Sequence, residues 1–207
     1  MVNPRATPED LTPKARIRNA ALDLYSKYGQ DRISLRAIAS EAGVTLGLVQ
    51  HHYKTKAGLR DAVDQLVVDH FASALSEVPD IGGPADLTAA RDAAVHTMLE
   101  ANPPVVNYVR RALLDPSGEN LHLLDALVGL TAREVNTLRK SGRASTRRRE
   151  STQVLAVLVR QMGEMLLAPL VDAVWDRMDS SDAEHKPRLR VTVEERSTET
   201  GPTPPRP

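Results

Sequence analysis

A chain of 207 residues that is 41% hydrophobic can supply at least one packed core, which excludes a disordered polymer, and the absence of cysteine excludes disulfide staples and thiolate metal sites. No basic leader with an apolar stretch opens the chain, and no apolar run reads as long enough to cross a bilayer, which takes about 20 residues; a cytoplasmic protein with no membrane partner is expected. The formal charge of zero hides an asymmetry: residues 1–56 hold nine Lys/Arg against five Asp/Glu, a net +4, and the remaining 18 Lys/Arg against 22 Asp/Glu leave residues 57–207 at −4, as in a basic polyanion-binding module beside an acidic body.

Residues 1–11 read as a flexible arm. A helix begins at Thr12-Pro13, because Thr can cap free amides and Pro loses nothing by lacking an N–H at the first helical position. Ile17, Ala20, Ala21, Leu24, Tyr25 and Tyr28 then recur with a 3.6-residue period as one apolar stripe, and Gly29 stops the helix. Ser34 caps a short second helix whose inner side is Leu35, Ile38, Ala39 and Ala42, and Gly43 ends it. Thr45 caps a third helix through about Tyr53. Ala42-Gly43-Val44 is therefore a three-residue connection between two short helices, the arithmetic of a helix-turn-helix.

About eight or nine helical residues rise roughly 12 to 13 Å, matching a major groove about 12 Å wide. Leu48 and Val49 mark the packing side of the third helix, so Thr45, Leu46, Gly47, Gln50 and His51 project from it as candidates for base edges and groove walls. Gln can bond bidentately to adenine, Leu can touch a thymine methyl, and glycine lets the backbone sit close to DNA. Tyr53, Lys54 and Lys56 are candidates for phosphate contacts, and Ser34 and Arg36 complete the expected DNA-binding set. Thr55 caps a fourth helix, whose amino end offers free amides and a positive dipole to a phosphate. Such contacts fix register, not sequence.

From Lys56 onward Leu59, Ala62, Val63, Leu66, Val67, His70, Phe71 and Ala74 keep helical spacing, so the fourth helix is long enough to link the basic module with the body. Pro79 to Pro84 form a loop, after which helices are predicted at about 86–101, 103–114, 119–140 and 148–168. The last of these carries Val154, Leu155, Leu158, Met162, Met165 and Leu166 with small Ala156 and Gly163, a pattern suited to packing on a partner helix. Pro169 should end or kink it, leaving Leu170, Val171, Val174, Trp175 and Met178 on a short final piece. Residues 179–207 are rich in Ser, Thr, Pro and charge, and a disordered tail is favoured over a small strand at Leu189, Val191 and Val193. The expected fold is all-α, divided into 12–55, 56–178 and the tail 179–207.

Residues Ile17 to about Leu59 resemble the tetracycline-repressor (TetR) family of bacterial regulators. The likeness is concentrated in Ala42-Gly43-Val44-Thr45-Leu46-Gly47-Leu48-Val49-Gln50-His51-His52-Tyr53-Lys54-Thr55-Lys56-Ala57-Gly58-Leu59, which looks like that family's turn, recognition helix and entry to the fourth helix. Gln50 stands where many members have Tyr, and Tyr53 replaces the commoner Phe; these departures spare the fold and leave the operator sequence open. The resemblance implies an all-helical homodimer with an amino-terminal three-helix DNA-binding domain and a carboxy-terminal domain for ligand binding and dimerisation. Most members repress, and release their operator DNA when a small molecule binds. Many also have a further full helix where this chain has the 179–207 tail.

Met98, Asn102, Asn107, Tyr108, Arg111, His122, Met162 and Met165 are candidates to line an effector pocket, since such pockets are apolar with a few polar anchors. Each has an ordinary core or surface reading beside it. His51 and His52 are neighbours on a helix, about 100° apart, with no carboxylate placed to join them. His70, His96 and His122 read as ordinary body histidines, and Arg139, Lys140, Arg143 and Arg147-Arg148-Arg149 as a solvated loop. No metal or cofactor is expected. Without a phosphate-cradling glycine loop, nucleophile elbow or paired-histidine helix motif, an enzyme is the weakest reading. A helical interaction protein that has lost DNA recognition is the alternative to the regulator.

Overall fold

The structure, a computed structural model, describes residues 12–114, 121–178 and 189–194. The expected arm at 1–11, the predicted helix start at 119 and most of the 179–207 tail lie outside the described residues. Among those described, the fold is all-helical: α1 Pro13–Tyr28, α2 Leu35–Glu41, α3 Leu46–Tyr53, α4 Lys56–Ser76, α5 Pro84–Ala101, α6 Pro103–Leu114, α7 Leu121–Lys140 and α8 Glu150–Met178. The chain divides into two compact units, Met1–Ser145 with α1 to α7, and Thr146–Pro207 with α8.

The helix starts follow from local chemistry. Thr12 Oγ1 accepts the Ala15 amide at 3.3 Å, Ser34 Oγ the Ala37 amide at 3.2 Å, Thr45 Oγ1 the Leu48 amide at 3.2 Å and Thr55 Oγ1 the Gly58 amide at 3.0 Å. Each satisfies an amide that has no carbonyl one turn back to bond to. At α5 the Asp86 carboxylate performs this service for the Gly83 N–H at 2.9 Å, with Pro84 at the first position. The helix therefore starts two residues earlier than the pattern alone suggests.

In the first unit α4 is the central element, packed against α1, α3, α5 and α7. Its buried residues, Leu59, Val63, Asp64, Leu66, Val67, Val68, His70, Phe71 and Ala74, consequently run around much of its circumference rather than along one stripe. Helix α1 packs on both α4 and α6. That second neighbour turns its buried arc toward Leu22, which is fully buried, and leaves Tyr28, expected in the stripe, 55% exposed. Val105, Tyr108 and Val109 of α6, with Leu123 and Leu127 of α7, complete the core.

In the second unit α8 continues through Pro169 to Met178, where an end or a kink was expected. The proline removes one helical amide, but Leu166, Leu167, Leu170, Val171 and Val174 stay in helical phase across it. Helix α8 also corrects the expectation about apolar runs: by length and composition it is long and apolar enough to cross a membrane. The same length and composition serve a helix that packs on a partner. Residues 189–194 are extended, with Leu189, Val191 and Val193 half-buried and Arg190, Thr192 and Glu194 exposed.

Candidate nucleic-acid interface

Helices α2 and α3 meet through a turn in which the Ala42 amide bonds Ile38 O, the Gly43 amide bonds Ser40 O and the Val44 amide bonds Ala39 O. Gly43 has φ +63°, a conformation that costs a side chain free energy and glycine none. Ile38 and Ala39 of α2 and Val49 and Tyr53 of α3 point inward and are buried. On the other side of α3, Gly47, Gln50 and His51 are exposed, flanked by exposed Thr45 and half-buried Leu46. These share a face because residues three and four apart in a helix are neighbours. Ser34 and Arg36, at the start of α2, are exposed as well, with the Ser34 hydroxyl engaged as the cap.

The junction between α3 and α4 is tight. Lys54, exposed, has φ +62° and ψ −56°, the one positive φ among the described non-glycine residues, and the Thr55 amide bonds Tyr53 O at 2.6 Å. An i to i+2 bond with these angles is the rarer, strained form of γ-turn. It folds the Tyr53 carbonyl over the first turn of α4, where a Cβ on Gly58 would stand 2.5 Å from that oxygen. Nothing in the spacing of the sequence signalled that Gly58 is required here for close approach. Half-buried Lys56 donates from Nζ to Asp31 O at 3.3 Å, a long bond.

Tyr53 differs from the expectation that it holds a phosphate. Its ring is buried and its hydroxyl donates to Lys14 O at 2.6 Å. Burial pushes the phenol above its ordinary value, with Arg18 acting in the opposite sense, so the proton stays on the oxygen and its single donor is used inside the protein. Tyr53 fastens the end of α3 to the start of α1.

A second set of polar contacts ties α6 to α1 and α4. Arg111 donates from Nε to Ser26 O at 2.9 Å and from a terminal nitrogen to Lys27 O at 2.7 Å, both carbonyls of the last turn of α1. The Tyr108 hydroxyl donates to Asp64 Oδ1 at 2.7 Å and accepts from Gln30 Nε2 at 3.0 Å. Tyr108 and Arg111, both effector-pocket candidates, thus spend hydrogen bonds on the amino-terminal helices. Of the other candidates in this unit, Met98 is buried, Asn102 donates to Met98 O at 2.8 Å, and Asn107 and His122 are exposed. Met162 and Met165 lie buried in the second unit. Among the described residues no group of three or more His, Asp or Glu side chains is placed to hold a metal ion.

Residues 17–63 match the sequence profile of the bacterial regulatory proteins of the tetR family. The HTH-type transcriptional regulatory protein RaaS of Mycobacterium tuberculosis is 35% identical over 104 residues, 50% of this chain and 46% of that protein, so the matched part spans less than half that relative's length. An uncharacterized HTH-type transcriptional regulator of Mycobacterium bovis is 27% identical over 168 residues, 78% of this chain and 84% of that one. A solved structure of a tetR family transcription regulator from Shewanella sp. PV-4 superposes with a TM-score of 0.64 at 23% identity, covering 82% of this chain and 91% of that one.

Proposed function

We propose, from the match of residues 17–63 to the tetR family of bacterial regulatory proteins, that the chain is a ligand-responsive transcriptional repressor of that family, which binds a near-palindromic operator as a homodimer and leaves it when a small-molecule effector binds. The observation that carries this reading is the two-sided character of α3. Val49 and Tyr53 fix one side in the core, while Gln50 and His51 are exposed on the other. An eight-residue helix rises about 12 Å, the width of a major groove. The Gln50 amide can read adenine; Lys54, Lys56, Arg36 and the amino end of α4 supply the sequence-blind phosphate contacts.

Two such helices must reach successive major grooves about 34 to 36 Å apart, which requires a second copy. Helix α8 offers the surface for it: Leu167, Leu170 and Val174 share one face and are exposed, and pairing would remove that apolar area from water. The response to an effector is proposed to run through α6. A molecule that binds better when the Arg111 and Tyr108 contacts shift would move α1, and with it α2 and α3. A typical coupling of about 1 to 3 kcal/mol changes operator affinity by roughly five- to 150-fold.

Footprinting the purified protein on its own upstream DNA, with and without candidate metabolites, tests the reading directly. Protection of a two-fold-related site that one metabolite abolishes is the expected result. Gln50→Ala should reduce discrimination between operator and random duplex. Lys56→Ala should weaken binding to both alike and lower the slope of log affinity against log salt by about one. A chain without measurable DNA affinity even at low salt is instead the helical interaction protein.

A further inference from the structure

Ala156, Gly163, Leu167, Leu170 and Val174 lie on one face of α8, since steps of seven, four, three and four residues return to nearly the same direction at 100° per residue. This face holds the exposed Leu167, Leu170 and Val174, whereas the buried Val154, Met162 and Met165 lie on other sides of the helix. One further side chain sits on it. A Cβ built at Gly163 would stand 3.0 Å from Val191 Cγ2, 3.1 Å from Cγ1 and 3.3 Å from Cβ. Val191 is therefore seated against bare helix backbone, in a notch that exists because residue 163 has no side chain. Glycine inside a helix is disfavoured relative to alanine, and the close seat for Val191 is what this glycine permits.

The segment around Val191 has two unlike sides. Leu189, Val191 and Val193 are half-buried, and Arg190, Thr192 and Glu194 are exposed, the period-two alternation of an extended chain with one covered face. Among the described residues no backbone hydrogen bond joins 189–194 to another element. The packing of Val191 on Gly163 seats the segment, and its outer side is polar. A surface of Arg, Thr and Glu laid over part of an apolar helix face hides the part beneath it and offers no apolar area of its own to a partner.

We propose that residues 189–194 are a clip on self-association: seated through Val191 in the Gly163 notch, the segment covers part of the α8 face on which a second copy of this chain docks, and it has to leave before the two copies close. The proposal rests on the reading of α8 as the pairing surface. Since both copies must open, the apparent dimer association constant is then the intrinsic one multiplied by the square of the fraction of chains whose clip is released.

Two variants release the clip without touching α8: a chain ending at Arg188, and the full chain with Val191→Asp. Sedimentation of each across a concentration series should give a dimer at least tenfold tighter than the parent. An unchanged or weaker dimer in both overturns the proposal, the weaker one because it would make the segment part of the interface. The seat itself is read separately with V191C, the sole thiol of the chain, as a maleimide probe. Labelling should be slow in that chain and at least tenfold faster when Gly163→Val is added. Equally fast labelling in both sinks the clip while the pairing of α8 stands. If the parent and both released chains remain monomers, the pairing reading fails, and the clip with it.

Discussion

Lys54 occupies a conformation that a side chain resists. This strained form of γ-turn costs on the order of 1–3 kcal/mol for a residue with a Cβ, and glycine would adopt it without strain. A lysine there is consistent with a side chain kept for its charge, beside the exposed face of α3. Lys54→Gly should therefore stabilise the fold by about 1 kcal/mol, which moves the unfolding midpoint by roughly 2–4 °C in a chain of this size, while Lys54→Ala keeps the strain and should not. Both should weaken binding to any duplex and lower the salt slope by about one. Tyr53→Phe is the counterpart. Losing the bond to Lys14 O should cost about 1 kcal/mol of stability and leave the salt slope unchanged, because that hydroxyl is committed inside the protein. Thermal unfolding, and fluorescence anisotropy of a labelled duplex over a salt series, measure all three variants. A salt slope that falls in Tyr53→Phe as it does in Lys54→Ala would restore Tyr53 to the phosphate contacts.

At the scale of elements, α6 acts as a distant cap for α1. The carbonyls of Ser26 and Lys27 sit in the last turn, where acceptors have no amide one turn further on, and Arg111 supplies the donors from 85 and 84 residues away. Arg111→Ala should cost about 1–2 kcal/mol in chemical denaturation, since charge-assisted bonds to carbonyls are stronger than neutral ones. Arg111→Lys should recover only part of this, because an ammonium cannot reach both oxygens with the fixed fork of a guanidinium. The contrast between this contact and the caps explains what the sequence made legible. Thr12, Ser34, Thr45 and Thr55 each bond an amide three residues on, so four helix starts and the helix-turn-helix could be read from neighbours in the chain. Arg111 on α1, Tyr108 on Asp64 and Tyr53 on Lys14 join residues 39 to 85 positions apart, and no local pattern encodes them. An aromatic hydroxyl at the end of a recognition helix reads the same whether it faces a phosphate or a carbonyl. Pro169 marks the limit of a local rule from the other side: the helix does not end there but runs on to Met178.

At the scale of the first unit as a whole, its least comfortable group is Asp64, a buried carboxyl on the central helix. Tyr108 from α6 bonds it, and Gln30, just past the end of α1, bonds Tyr108, so three elements converge on one carboxylate. Burial pushes its pKa above the ordinary 3.8. The Tyr108 hydrogen bond and the charges of Arg60 and His122 oppose the rise, and Asp61 adds to it. A carboxyl whose folded value exceeds its unfolded value takes up its proton more readily when folded. Its stabilising contribution is therefore fully present below the unfolded pKa and is lost as pH rises through the folded one. Asp64→Asn carries no charge to desolvate and keeps an oxygen for the Tyr108 hydroxyl. The stability of this variant relative to the parent should be lowest near pH 3.5, rise as the parent carboxyl ionises, and level off once it has done so. Urea unfolding of both chains between pH 3.5 and 8 measures that difference. A gap that stays constant across this range would mean that the hydrogen bond and the nearby cations offset the whole penalty of burial, leaving the junction of α1, α4 and α6 indifferent to protonation of Asp64.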